Sequence, residues 1–303
     1  MGRFKLVIIL GPTAIGKTAL SVRLASHLRC EVISADSRQV YREMNIGTAK
    51  PTLEEQAGVR HHMIGHIGIM DYYSAGLYEQ DVIQLINELS GKQPAAVMAG
   101  GSGLYIQAVC KGIDEMPGPD FSIRQRLLSR LEKSGLETLA GELVSLDPET
   151  GKRIDLKNPK RVLRALEVIY QISGKYSSVR KGHVKLREFD YLKIGLECNR
   201  ELLYHRINRR AESMLEMGLL EEAEQLFPFR HLTALQTVGY REFFGFMEGA
   251  YDLKEAIRLF KRNSRRYAKR QLTWFKRDPE IHWFDTGSMQ EIGPVVDGFI
   301  NQP

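Results

Sequence analysis

Short unbroken apolar runs alternate with stretches of helical period along most of this chain. Lys5-Leu-Val-Ile-Ile-Leu10 is rich in β-branched residues and too short for a helix, which suits a strand covered on both faces. Glu31-Val-Ile-Ser-Ala35, Ala95-Ala-Val-Met-Ala99 and Tyr191-Leu-Lys-Ile-Gly-Leu196 are further strand candidates. Behind the first of them, Thr18-Ala-Leu-Ser-Val-Arg-Leu-Ala25 places its apolar residues at helical spacing. Strands alternating with helices predict an α/β fold with a parallel sheet.

The middle of the chain breaks this rhythm. Met116-Pro-Gly-Pro119 is a breaker cluster, and from Ser122 to about Lys181 the pattern is helical, with Leu127, Leu128, Leu131, Leu139 and Leu143 at apolar spacing. Asn158-Pro159 starts a helix well, with Asn as N-cap and Pro in the first turn. In the helix that follows, Lys160, Arg161 and Arg164 share a side opposite Leu163, Leu166 and Ile169; Glu167 could pair with Arg164. A Gly-, Ser- and Lys-rich stretch from Ser173 to Gly182 then precedes the return to the sheet. The predicted organisation is an α/β core over 1–114 and 189–303, with a helical insertion domain over 115–188. Arg200 to about Phe227 reads as one helix carrying Arg206-Ile-Asn-Arg-Arg210, and Gln236-Thr-Val-Gly-Tyr-Arg241 as a polar turn before an aromatic-rich helix.

The loop between the first strand and helix carries the clearest chemistry. Gly11-Pro-Thr-Ala-Ile-Gly-Lys-Thr18 fits G-x-x-x-x-G-K-[ST] in its required strand–loop–helix context. Backbone N–H groups from Gly11, Pro12 onward through Thr13, Ala14, Ile15 and Gly16 can close around an anion, Pro12 itself lacking a donor. Lys17 supplies a full charge, and Thr18 a hydroxyl for a magnesium ion. The core is therefore a P-loop-containing parallel sheet. Asp36, just past the second strand, projects near this loop, as a base or as a carboxylate holding a magnesium-bound water. Where a P-loop NTPase usually ends a strand in a magnesium-binding aspartate, this chain has Gly100-Gly-Ser-Gly-Leu-Tyr105, which argues against ATP hydrolysis. Arg210 would meet a phosphate if its helix packs beside the loop.

Composition narrows the partners. The 303 residues are 43% apolar and 26% charged, as in a soluble globular protein, with no run of about 18 apolar residues for a membrane span. The first residues lead straight into a strand, leaving no room for a signal peptide. Cys30, Cys110 and Cys198 are far apart and odd in number, which reads as free thiols in a reducing cytoplasm. His61 and His62 lack a third ligand at metal spacing and read as hydrogen-bonding residues at a strand or loop edge. Net charge is +6, yet Lys254 to Arg277 alone holds ten Lys or Arg against Glu255, a sum of +9. Ile257, Phe260, Ala268, Leu272 and Phe275 fall on one side of that helix, and Arg258, Arg262, Arg265 and Lys269 on another. A stripe so poorly balanced by acids favours a nucleic acid partner over a merely solvated face.

Taken together these residues resemble the tRNA dimethylallyltransferases. The resemblance spans nearly the whole chain: the phosphate loop, Asp36-Ser-Arg-Gln39, Ile46-Gly-Thr-Ala-Lys-Pro51, His61-His62, Gly100 to Tyr105, Asn158 to Glu167, Arg206 to Arg210, Val238-Gly-Tyr240 and Arg266-Tyr-Ala-Lys-Arg-Gln-Leu-Thr-Trp274. Ser102 stands where the family often has Thr, and Ile15 where a small Ser is common. The family's C-terminal zinc finger, found in some eukaryotic members, is missing, which suggests the bacterial type. The resemblance implies transfer of a dimethylallyl group from dimethylallyl diphosphate to N6 of the adenosine 3′-adjacent to the anticodon, releasing diphosphate, with Mg2+ as cofactor and a monomeric, cytoplasmic enzyme. Implied catalytic residues are Asp36, Lys17, Thr18 and Arg210. The anticodon stem-loop of tRNA would be held by Asp36, Ser37, Arg38, Gln39, Ser102, Arg124, Lys160, Arg161, Val162, Leu163, Arg164, Gln236, Gly239, Tyr240 and Arg241. A P-loop nucleotide kinase, an adenylate isopentenyltransferase acting on a free nucleotide, and a non-catalytic RNA-binding protein using the loop as a nucleotide switch are the alternatives.

Neutralising Arg262, Arg265 and Lys269 together should lower the slope of log RNA affinity against log salt by ~2. Binding measured across a salt series checks this; an unchanged slope removes the helix from the interface.

Overall fold

The computed structural model describes residues 2–302. Its first half runs β1 (Phe4–Leu10), α1 (Lys17–Leu28), β2 (Val32–Ser34), α2 (Leu53–Gln56), β3 (His61–His62), α3 (Ala75–Ser90), β4 (Ala95–Gly100) and α4 (Gly103–Lys111). Four helices follow, α5 (Phe121–Leu146), α6 (Pro148–Arg153), α7 (Pro159–Ile172) and α8 (Tyr176–Val179). The chain then forms β5 (Phe189–Glu197), α9 (Arg200–Glu216), α10 (Leu219–Leu226), α11 (Tyr240–Met247), α12 (Leu253–Phe275), β6 (Ile281–Asp285) and α13 (Ile292–Ile300).

The six strands make one sheet in the order β3-β2-β4-β1-β5-β6, all pairs parallel. β1 is buried along its whole length because it lies between β4 and β5, in register Val7 to Val97 and Val7 to Leu192. That position explains its unbroken apolar run: both faces are covered, so no alternation is selected. Val7, Ile9, Val97, Ile194 and Leu196 pack with Leu20 and Leu24 of α1, Leu203 and Ile207 of α9 and Val296 of α13. In a parallel sheet the carboxyl ends of the strands share an edge, so the segments after β1, β2 and β4 converge there.

The chain divides into two compact units, Met1–Lys111 with Leu186–Pro303, and Gly112–Lys185. The second has its own core of Ile123, Leu127, Leu139, Leu143, Val162, Leu166 and Ile169. Within it α7 begins as its sequence predicts, the Asn158 side chain accepting from Arg161 N–H with Pro159 in the first turn.

One expectation needs correction, and one strand went unread. Arg200 to Phe227 is two helices, because Gly218 takes a left-handed conformation (φ 98°) and stops α9 from running into α10. The edge strand β6 escapes the apolar-run criterion, since His282 is exposed, Trp283 and Phe284 are only partly covered, and its pattern is mixed.

Candidate functional site

The carboxyl edge of the sheet opens into a cleft of about 760 Å³. Thr13 to Thr18 form one wall, Asp36, Arg38 and Gln39 another, and Arg206, Arg209 and Arg210 of α9 a third; Ser264, Tyr267 and Gln271 of α12 complete it. The arginines at α9 therefore do face the phosphate loop.

In the loop itself, Lys17 Nζ donates to the carbonyls of Gly11 (3.1 Å) and Pro12 (2.8 Å), so its ammonium is folded back over the loop. No acidic residue lies in the first turn of α1, whose N-terminal potential is therefore left for an anion. Burial and the nearby Arg210 guanidinium pull the Lys17 ammonium down to about 7, with Asp36 opposing. Burial also lowers Arg210, against Glu55 and Asp36. A cleft in which Lys17, Arg206, Arg209 and Arg210 outnumber the carboxylates of Asp36 and Glu55 suits an anion of several charges.

Asp36 is anchored at one oxygen, Oδ1 accepting from Arg38 N–H at 2.9 Å. Its negative charge bears on Lys17, Arg210 and Tyr267, so it faces the phosphate loop across the cleft. The segment around it is fixed from several sides. Ser37 N–H donates to Ser102 Oγ (2.9 Å), Ser34 Oγ donates to Gln39 Oε1 (2.9 Å), and Gln39 Nε2 donates to Ala49 O (3.0 Å). Arg38 reaches Thr233 O. Ser102 and Ser37 thus brace the rim through each other and do not line the cleft.

The phosphate loop is tied to the rest by Gln271. Thr13 N–H donates to Gln271 Oε1 at 2.9 Å, and Gln271 Nε2 donates to Gly101 O at 3.0 Å. One buried carboxamide on α12 thereby joins the loops after β1 and β4. The fit leaves no room for side chains: a Cβ on Gly101 would lie 2.1 Å from Gln271 Nε2, and one on Gly103 2.2 Å from Trp274 Cδ1. The glycines in place of an aspartate at the end of β4 are what let α12 approach.

Other predicted residues fall elsewhere. Tyr240 is fully buried, its hydroxyl donating to Glu222 (2.6 Å), whose carboxylate also accepts from the N–H groups of Asn45, Ile46 and Gly47. Tyr240 is thus no direct RNA contact; it supports the loop after β2. Gly239 is buried beside it, Gln236 donates to Arg230 O, and Arg241 is exposed. Thr237 and Val238, between them, line the cleft. In the Gly112–Lys185 unit, Lys160 and Arg161 are exposed, whereas Val162 and Leu163 are buried and belong to its core. The expectation that these two apolar side chains touch RNA is corrected by that packing. Arg164 (3.3 Å) and Arg124 (3.6 Å) both pair with buried Glu167, so charges expected for RNA are here engaged within the unit.

Glu222 was invisible as a functional position, and Gln271, although it lies in the Arg266 to Trp274 string, gave no sign of its role, because each acts on a backbone remote in sequence. Arg206 and Arg209 could have been found with Arg210 by the helical spacing that groups them.

Compared with known proteins, residues 39–278 match the family model described as IPP transferase. The chain is 49% identical over 287 residues to tRNA dimethylallyltransferase 1 of Phocaeicola vulgatus, covering 95% of this chain and 96% of that protein. It is 48% identical over 296 residues to the tRNA dimethylallyltransferase of Cytophaga hutchinsonii, covering 98% and 97%. Among solved structures it is similar to the tRNA isopentenylpyrophosphate transferase of Bacillus halodurans, with TM-score 0.72, 38% identity and coverage of 98% and 96%. A eukaryotic dimethylallyltransferase acting on tRNA superposes with TM-score 0.81 at 27% identity, covering 99% of this chain and 80% of that one.

Two outcomes follow from the geometry. Lys17 is charged below about 7 in the empty cleft and neutral above it, so above that pH an anion must recruit a proton to bind. The affinity advantage of the wild type over Lys17→Arg for inorganic diphosphate should therefore fall by up to about tenfold per pH unit above 7. Calorimetric titration of both proteins across that range reads it, and the ratio cancels the titration of diphosphate itself. Gln271→Ala should lower the unfolding free energy by about 1–3 kcal/mol by stranding buried polar groups, and weaken diphosphate binding. Gln271→Glu keeps the acceptor for Thr13 but sets a buried carboxylate oxygen against Gly101 O and a negative charge beside the phosphate loop, so it should weaken diphosphate binding at least as much; denaturant unfolding and the same calorimetry measure both.

Proposed function

The chain belongs to the IPP transferases, a family of tRNA dimethylallyltransferases, and on that premise we propose how its cleft moves a dimethylallyl group from dimethylallyl diphosphate to tRNA. The enzyme is a prenyl transferase with these two substrates. The acceptor atom is N6 of the adenosine 3′-adjacent to the anticodon, presented after the base leaves its stack. The observation that carries this reading is the facing of Asp36 across one cleft to a phosphate loop with Lys17, Thr18 and Arg210.

The N6 lone pair attacks C1 of the allyl group, the C1–O bond breaks, and its electron pair leaves with diphosphate. Asp36 accepts a hydrogen bond from N6–H as positive charge builds on nitrogen and takes the proton. The leaving group gains negative charge at the same moment. Loop amides from Ala14 to Thr18, the Lys17 ammonium and Arg210 meet that charge, each well-aimed donor contributing about 2.7–4 kcal/mol. The Gly100–Gly101 end of β4 provides no third carboxylate, and among the described residues no group of three His, Cys, Asp or Glu is placed to hold a metal. Thr18 is a hard oxygen donor lining the cleft, which suits Mg2+ held mainly through diphosphate oxygens and water. Bound there, the ion would add charge neutralisation for the diphosphate.

For the RNA, Arg38 and Gln39 lie at the cleft with Thr237 and Val238. Exposed Lys160 and Arg161, the exposed Arg241 and the cations of α12 carry the phosphate contacts. Among the described residues no helix is long and apolar enough to cross a membrane. We place the enzyme in the cytoplasm as a monomer. A kinase reading gains nothing from a β4 that ends in glycines.

Asp36→Ala should lower turnover by a factor of about 10²–10⁴ while leaving tRNA affinity within a few-fold. Mass spectrometry of nucleosides from treated tRNA, beside a binding assay, separates the two effects. Prenylation at the wild-type rate would show that Asp36 is not the base.

A further inference from the structure

Helix α12 turns one face into the catalytic cleft. Phe260, Ser264, Tyr267 and Gln271, at steps of four, three and four, line it together with Asp36. Gln271 fixes this face, because its carboxamide is bonded both to Thr13 N–H and to Gly101 O. Tyr267 sits one helical turn before that anchor, so its ring is carried on a held segment. The Arg270 guanidinium lies 5.7 Å from the ring centroid and adds a cation–π contact.

The ring ends in an uncommitted hydroxyl. Tyr78 donates to Ser34 O (2.9 Å), Tyr240 to Glu222 (2.6 Å) and Tyr251 to Glu242 O (2.9 Å). Among the described residues the Tyr267 hydroxyl makes no hydrogen bond, although it lies in the field of Asp36 and Arg38. Burial first, and then the Asp36 charge, push this phenol above its ordinary range, against Arg38 and Arg270. It is therefore a neutral O–H donor near neutral pH. Asp36 spends Oδ1 on Arg38 N–H (2.9 Å), and no hydrogen bond joins it to Tyr267. An acceptor and a donor thus share one part of the cleft without meeting. Adenine has the edge that fits between them, because N6–H donates and the adjacent N1 accepts.

We infer that Tyr267 donates a hydrogen bond to N1 of the reacting adenine while Asp36 accepts from its N6–H, so that the two side chains together fix the plane of the base. The inference rests on the transferase reading above and adds to it the group that orients the nucleophile. A single hydrogen bond at N6 leaves the base free to swing about it. A second one, to the neighbouring ring atom, removes that freedom. The N6 lone pair stands perpendicular to the ring, so the plane of the base decides whether it points at C1 of the allyl group. The phenol keeps its proton throughout, and Asp36 remains the base.

Anticodon hairpins test this when they carry adenosine, N1-deaza adenosine or N7-deaza adenosine at the reacting position. Single-turnover prenyl transfer by the wild type and by Tyr267→Phe is followed by mass spectrometry of the nucleosides. Tyr267→Phe keeps the ring and its contact with Arg270. On adenosine it should react about tenfold more slowly than the wild type, with hairpin affinity within about twofold. On N1-deaza adenosine, where C–H replaces the acceptor, the two proteins should react alike. Their ratio cancels the altered nucleophilicity of the analogue. On N7-deaza adenosine the tenfold ratio should return. A ratio that stays tenfold with N1-deaza adenosine would overturn the inference, since a structural defect slows every base equally. A ratio that collapses with N7-deaza adenosine instead, or equal rates on adenosine, would overturn it too. If the wild type prenylates no hairpin at all, the transferase reading fails and the role of Tyr267 falls with it.

Discussion

The site depends on one carboxamide. Gln271 accepts from Thr13 N–H with its oxygen and donates to Gly101 O with its nitrogen, so both halves of the side chain are used and both loops are held to α12. Thr13 belongs to the segment that closes around phosphate, and Gly101 to the rim beside Asp36. A buried amide with every partner satisfied is rigid, since moving either loop would strand a polar group away from water. Helix α12 thus serves the phosphate loop on one face and carries unpaired cations on another.

Electrostatics in the cleft run against its unliganded stability. Lys17, Arg206, Arg209 and Arg210 line a partly dry space with Asp36 and Glu55 as the acids among them. Burial lowers both Lys17 and Arg210, a sign that the empty protein pays for gathering them. In the mechanism we propose, a diphosphate would reverse that cost, and the charge growing on it during C–O cleavage would be met by groups already in position. The absence of an aspartate after β4 follows the same logic. With carbon as the centre attacked, the protein has no need to arrange metals around phosphorus, and the space is given to Gln271 and to the rim that carries Asp36.

Basic residues sort by whether an acid accompanies them. Arg124 and Arg164 share Glu167, which is 1% exposed and also accepts from Asp120 N–H, so they stabilise their unit. Lys160 and Arg161, on the same helix, point to solvent. The same division separates Arg258 and Lys261 from Lys269 and Arg270 along α12, and from Arg277 just past its end. Net charge of a segment is therefore a poor guide to which cations remain for a polyanion, and pairing has to be seen.

The chain by itself determined whatever is local. The apolar run of β1, the phosphate loop and the start of α1 are contiguous, so sterics, backbone amides and helical spacing specify them without distant help. The N-cap at Asn158 and the helical phase of Leu163 were legible for the same reason. Helix α9 and α10 were read as one because an isolated glycine within a helical pattern does not announce whether it will turn left-handed. What only the tertiary structure decided is what distant segments do to one another. Gln271 meets Thr13 across 258 residues, and Glu222 gathers the amides of Asn45 to Gly47 from 175 or more away. A glutamine or a glutamate in a helix carries no mark of such a partner, because hydrogen bonds and burial are set by where the sheet and its helices bring the chain together. The phosphate-binding pattern was written in eight consecutive residues; the cleft that gives it a reaction was written nowhere in order.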